Sequence, residues 1–187
     1  MKSVEEFSVR TLEVSGLGAA LQALRLPYGK DARSYIRSSV DDSIVVDNNK
    51  SVRYQTTVSP DEKDITLIHS LIGNGDEHAK VLRGVVVWCE INAPRYRWQE
   101  MVTYRVGAEC LSSESTMHVD CRGMNTEELI ETKEHIEEGY MQKRILMISY
   151  QTLRRIYLQR KNHRLPQLGK FCEWICTLPY SCDFITF

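Results

Sequence analysis

"GVVVWCEINAPRYRWQEM", residues 84–101, decides how the rest of the chain is read. Val85 to Ile91 is rich in β-branched residues, whose stiff side chains suit a pleated strand. Its apolar run, Val85 to Cys89, points to a strand buried on both faces. Ala93-Pro94 ends that strand. Proline fixes φ and has no N–H to lose, so a helix is expected to start directly after Pro94. On such a helix Arg97 and Met101 share one face, with Arg105 roughly below them, while Arg95 and Trp98 share another.

Working outward, Phe7 to Val14 alternates as a strand does, and Leu17 to Leu26 reads as a short amphipathic helix. Residues 27–58 are polar and irregular, with one apolar triplet, Ile44-Val45-Val46, and suit loops or short strands. Ser59-Pro60-Asp61-Glu62 carries helix-start signals, a serine cap and a proline in the first turn. That helix is expected to run through Ile65, Leu67, Ile68 and Leu71 and to stop at Gly73-Asn74-Gly75. Asn125-Thr126-Glu127-Glu128 starts another. Tyr140 to Asn162 reads as one long helix whose face carries Ile145, Ile148, Leu153, Ile156 and Tyr157. Pro166 stops it, and Phe171 to Leu178 gives a last short helix. There is no internal repeat or low-complexity linker. The expected architecture is a single α+β domain over 1–187, a small sheet packed with long helices.

With 42% apolar and 26% charged residues the composition is that of a globular protein, and 187 residues can bury a real core. A net charge of −1 removes any global electrostatic case for nucleic-acid or membrane binding. An anion must therefore be held locally, by a few placed arginines. MKSVEEFSVRTLEV lacks the apolar centre of a secretory signal, and Val85 to Cys89 is too short to span a bilayer. The six cysteines form no C-x-x-C pair and read as reduced thiols, several of them in the core, which suits the cytoplasm. Cys172 and Cys176 lie one helical turn apart, but without nearby paired ligands no zinc site is expected.

Two stretches concentrate arginine beside aromatic rings. One is Arg95, Tyr96, Arg97, Trp98, Gln99 and Arg105; the other is Tyr150, Arg154, Arg155, Arg160, Asn162, His163 and Arg164. Arginine binds phosphate bidentately and stacks on rings, so in a chain without overall positive charge the pair points to a phosphorylated, ring-containing ligand. The bland reading of each stretch is a solvated basic face. His78, in the turn Asn74-Gly75-Asp76-Glu77-His78, could hydrogen-bond to a planar ligand or be a plain surface histidine.

The order of these features resembles the flavin-dependent thymidylate synthases. In that family a histidine turn precedes a strand ending in Ala-Pro, followed by Arg-His-Arg, a Ser-x-Arg-Tyr element and a late Asn-Leu-Arg element. Here His78 stands fifteen residues before Ala93, Thr103-Tyr104-Arg105 takes the place of Arg-His-Arg, and Ser113 that of the serine. Leu158-Gln159-Arg160 resembles the late element. The phrases "STMH" (Ser115 to His118) and "QKR…YQ.LR" (Gln142 to Arg154) resemble divergent phage-type members, for which the compartment is a host cell's cytoplasm. The resemblance covers roughly residues 59–178.

What the resemblance implies is a homotetramer that binds FAD and a pyrimidine deoxynucleotide between subunits. It converts dUMP to dTMP with methylenetetrahydrofolate as carbon donor and NADPH as reductant. Arg160 is the implied catalytic residue, orienting the pyrimidine. His78, Tyr104, Arg105 and Asn162 are the implied cofactor contacts. Gln99, Ser113, Ser115, His118 and Arg144 are the implied substrate contacts, the last two with Arg160 standing in for an arginine that Ser115-Thr116 displaces. No metal is implied. Thr103, Tyr104, Cys110, Ser115 and Thr116 depart from the family pattern. They support a second reading, a non-catalytic nucleotide-binding or protein-interaction module on the same fold.

Overall fold

The computed structural model describes residues 6–29 and 60–187. At its centre β2 (Val86–Pro94) passes without interruption into α3 (Arg95–Met101), and Pro94, at φ −68° and ψ 154°, is still extended on the threshold of the helix. A 3-10 turn, Val102–Tyr104, continues α3. Four strands form one antiparallel sheet in the order β1 (Ser8–Ser15), β2, β4 (Met141–Ser149), β3 (Ala108–Ser113). The fold is thus a small antiparallel sheet combined with helices.

The helices α1 (Leu17–Arg25), α2 (Glu62–Gly73), α6 (Tyr150–Arg160), α7 (Pro166–Cys176) and α8 (Ser181–Phe184) contribute to one core with the sheet. Leu21, Ile68, Leu153, Ile156, Phe171, Ile175 and Phe184 meet Val87, Cys89, Ile91, Leu146 and Ile148 there. Each such aliphatic side chain, fully buried, stabilises the fold by about 1.5–3 kcal/mol. The short α4 (Thr116–Val119) and α5 (Thr126–Glu134) follow the edge strand β3; no residue of α5 is buried.

β2 is not buried on both faces. Val87, Cys89 and Ile91 point into the core, whereas Val86, Trp88 and Glu90 are half-exposed. A helical layer on one side of an antiparallel sheet imposes this alternation. Glu90 instead pairs with Arg10, its cross-strand neighbour, at 3.2 Å.

The expected long helix over Tyr140–Asn162 is two elements, β4 and α6, joined at Ser149. The Ser149 hydroxyl accepts the Thr152 N–H and so caps α6, while the preceding residues pair with β2 from Pro94↔Met141 to Val86↔Ser149. Ile145 and Ile148 therefore sit on opposite faces of a strand rather than on one helical stripe. Pro166 does not stop α6, which ends at Arg160; it opens α7 from the first-turn position that proline favours. α2 is capped by Asp61, whose carboxylate accepts the Asp64 N–H at 2.7 Å in a reciprocal capping box, and not by Ser59. Ser59 and the segment holding Ile44-Val45-Val46 lie outside the described residues.

Two glycines are obligatory. Gly16 has φ +88°, and a Cβ there would stand 1.9 Å from the Gly84 carbonyl oxygen. Gly107 has φ +80°, and a Cβ would come within 2.5 Å of Thr152 Oγ1 and 2.7 Å of Ser149 Oγ. Gly107 thereby lets the chain leaving α3 press against the first turn of α6, where its carbonyl accepts the Ser149 N–H. That contact sets the site described next.

Candidate functional site

α3 is anchored at its start. The first N–H groups of any helix lack intrahelical partners. Here Arg95 N donates to the Tyr140 carbonyl at 3.0 Å and Tyr96 N to the Glu138 carbonyl at 3.2 Å. The Arg95 guanidinium donates to the Ile136 carbonyl at 3.0 Å, and Gln99 donates to the Glu138 carboxylate at 3.2 Å. Trp98, 3% exposed, shares its indole N–H between the Ala93 and Gln142 carbonyls, both at 3.2 Å. Arg95 and Gln99 thus hold the loop before β4, and the first two backbone N–H groups of α3 are already paired.

At the far end of α3, Tyr104 meets the end of α6. Arg160 Nε donates to the Tyr104 hydroxyl at 2.8 Å, and that hydroxyl donates to Gln159 Oε1 at 2.9 Å. The Arg160 guanidinium also lies over the Tyr104 ring, 5.8 Å from its centroid. Two turns earlier, on the same helical face as Tyr104, is Arg97, 3% exposed and ion-paired with Glu100. Burial, and next the nearby positive charge of Arg160, push the Arg97 guanidinium below its ordinary pKa. Its Nε is buried without a hydrogen-bond partner.

A second cluster stands over Trp98. The Arg144 guanidinium covers the Trp98 ring at 4.6 Å and donates twice to Gln142 Oε1, at 3.1 and 2.9 Å. Gln142 in turn donates to the Glu114 carbonyl at 2.7 Å. Ser113 is the register partner of Arg144, and Ser115 precedes α4, which carries the exposed His118. Neither the Ser113 nor the Ser115 hydroxyl has a protein partner among the described residues.

Arg83, Arg95 and Arg154 donate to an amide or to backbone carbonyls, so a neutral partner is not peculiar to the two clusters. Arg10, Arg25, Arg97 and Arg155 each face a carboxylate. Arg144 faces an amide and an indole, and Arg160 faces a phenol. Arg105 is exposed, with no side-chain partner among the described residues. Cations held by neutral partners keep their full attraction for an anion.

Not every residue singled out from the sequence joins these clusters. His78 is exposed in a turn tied to the first half of α6, where Asp76 accepts from Gln151 through its carbonyl and pairs with Arg155 at 2.6 Å. Arg105 also lies toward that half, because the neighbouring Val106 carbonyl accepts from Thr152 at 2.8 Å. Arg160 comes eight residues after Thr152, roughly 12 Å along the helix. Asn162 is exposed beyond α6, and Gln99 is held against Glu138. The sequence reading overlooked Gln142 and Gln159, the amides that hold Arg144 and the Tyr104 hydroxyl. It also left Arg97 unassigned, although the seven-residue spacing from Arg97 to Tyr104 puts both on one helical face.

Among the described residues no group of three or more His, Cys, Asp or Glu side chains is placed to hold a metal ion. No described helix is long and apolar enough to cross a membrane.

No protein-family model and no curated protein sequence matches this chain. Solved structures do. The flavin-dependent thymidylate synthase ThyX from Helicobacter pylori, complexed with FAD and dUMP, superposes with a TM-score of 0.60 at 17% identity, over 95% of this chain and 97% of that one. A second structure of the Helicobacter pylori enzyme with FAD and dUMP gives a TM-score of 0.62 at 16% identity, over 95% and 96%. At this level of identity the likeness establishes the fold: the chain is built, nearly end to end, like flavin-dependent thymidylate synthase.

Proposed function

We propose that this protein transfers a one-carbon unit to C5 of a pyrimidine deoxynucleotide monophosphate, in the manner of dUMP-to-dTMP conversion. FAD is the cofactor, methylenetetrahydrofolate the carbon donor and NADPH the reductant. The observation that carries the reading is that Arg144 and Arg160 lie over the Trp98 and Tyr104 rings and are held there by neutral partners, on a fold shared with an enzyme solved with FAD and dUMP. Both of those ligands are polyanions with flat rings. The residues present fit them, since Arg144 and Arg160 are already stacked on rings and the Ser113 and Ser115 hydroxyls are free to bind phosphate.

Bound flavin would supply the redox chemistry, and the protein's part is to hold and orient. Arg160, braced by Tyr104, orients the pyrimidine and stabilises negative charge as C5 becomes nucleophilic. Ser113 and Ser115 hold the nucleotide's phosphate or sugar, with Arg144 and His118 beside them. Ser113 is not a nucleophile, because no base stands in hydrogen-bond reach of it among the described residues. Gln99 reaches the substrate only by releasing Glu138. His78, Arg105 and Asn162 line a longer stretch along α6 that suits an extended dinucleotide, with Tyr104 at its junction with the substrate.

A second reading, a nucleotide-binding module without turnover, has one observation in its favour. Thr103 and Tyr104 stand where the family resemblance implies arginine and histidine, and both hydroxyls are used within the protein. Thr103 donates to the Glu100 carbonyl at 2.7 Å, and Tyr104 donates to Gln159. The test is the visible spectrum of the purified protein, followed by anaerobic incubation with dUMP, methylenetetrahydrofolate and NADPH, repeated with dCMP. Flavin bands and a methylated product establish the enzyme. Nucleotide binding with no product from either substrate establishes the module.

A further inference from the structure

α3 carries a charged residue where a core residue is expected. Arg97 is 3% exposed, and Cys172, itself in the core, lies near it. Seven residues on, along the same helical face, is Tyr104, and on Tyr104 rests Arg160. Burying a guanidinium is costly unless its hydrogen bonds are made. Arg97 makes an ion pair with Glu100, yet its Nε has no partner. Glu100 lies on the outer side, with its side chain 37% exposed, against 4% for that of Arg97. Water therefore screens the carboxylate more than it screens the guanidinium. The two guanidinium charges, Arg97 and Arg160, are close enough to repel each other.

We propose that Arg97 is a positioning residue for anion binding: a second, buried positive charge near Arg160 that strengthens the hold of Arg160 on an anionic ligand. Repulsion between the two guanidiniums also keeps Arg160 from folding back onto α3, so that Nε stays on Tyr104 and the rest of the guanidinium faces outward. Glu100 sets the strength of the effect by masking part of the Arg97 charge. This rests on the reading of Arg160 as the nucleotide contact.

The experiment is calorimetric titration of dUMP, with deoxyuridine as the uncharged counterpart, into wild type, Arg97→Met, Arg97→Lys, Glu100→Gln and Arg160→Ala. Arg97→Met is expected to weaken dUMP about tenfold and to leave deoxyuridine within about twofold, as loss of one partly buried charge predicts. Arg97→Lys restores most of the loss. Glu100→Gln tightens dUMP about threefold, the opposite sign, because it unmasks Arg97. A merely structural role for the pair makes both substitutions weaken dUMP and deoxyuridine alike, and that result overturns the inference, as does dUMP affinity indifferent to all three variants. If Arg97→Met does not fold, the sign of the Glu100→Gln effect decides alone. Absence of any dUMP binding by the wild type overturns the nucleotide reading and this inference with it, and is told apart because Arg160→Ala is then equally without effect.

Discussion

Burial divides the thiols of this protein into two reactive classes. It pushes Cys89 up to about 12 and Cys172 up to about 11, while Cys110, Cys176 and Cys182 are exposed. At pH 8 an aromatic disulfide reagent should label the three exposed cysteines quickly and reach Cys89, Cys121 and Cys172 only in denaturant. Fast labelling of Cys172, read by mass spectrometry, would contradict the core described above. Because both folded values are raised, the protonated thiols favour the folded state. That contribution is complete below the unfolded thiol pKa of about 8.5 and is lost as pH rises through about 11 for Cys172 and about 12 for Cys89. The melting temperature should therefore fall at alkaline pH, and less steeply in Cys172→Ala. Two arginines of one helix region divide just as sharply. Arg95→Ala, which removes the bond to the Ile136 carbonyl, should cost about 0.5–1.5 kcal/mol in urea unfolding and leave nucleotide and flavin binding intact. Arg105→Ala should change stability by less than about 0.5 kcal/mol and weaken flavin or nucleotide binding by about 1.5–3 kcal/mol.

Among the elements, the joint between α3 and α6 is the vulnerable one. Gly107→Ala forces a side chain at φ +80° into two hydroxyls, Thr152 Oγ1 and Ser149 Oγ, and the second of these is the cap of α6. A loss of about 1–3 kcal/mol is expected in equilibrium unfolding, against near-neutrality for Gly139→Ala, where nothing lies within 4 Å and φ is not positive. This joint shows where the sequence is legible and where it is not. Pro94 after a β-branched run declares β2 and α3 because proline and Val86-Val87 each act locally, through their own sterics. Ser149 announces nothing locally. The run Met141–Ser149 holds enough apolar residues to satisfy either a helical or a strand period, and only pairing with β2 decides it. Pro166 was misread for a related reason, since proline marks both helix starts and helix ends.

At the scale of the molecule, the sheet face away from the core leaves Trp88, Ile145 and Met147 half-exposed, and β3 presents Leu111 at its edge. Such apolar surface is what subunit association covers. A tetramer is expected by light scattering at micromolar concentration, and a monomer would argue against a site shared between subunits. The candidate site is a long-range object, and this limits how much of it the sequence could disclose. Tyr104 and Arg160 are 56 positions apart and meet only because α6 returns across the sheet. Motif spacing could nominate both residues, but not their contact; helical spacing put Arg97 on the face of Tyr104, but not its burial.

The buried Arg25 bridges α1 to both Asp61 and Asp64, the two residues that cap α2. It works as a stitch at the neck of the segment 30–59: whatever path that stretch of chain follows, its two ends are sewn to the same place. Closing a loop costs free energy that grows only as the logarithm of its length, about 0.6 kcal/mol for each doubling. The contact between Arg25 and Asp61 therefore forms at an entropic cost that depends only weakly on the number of residues between them.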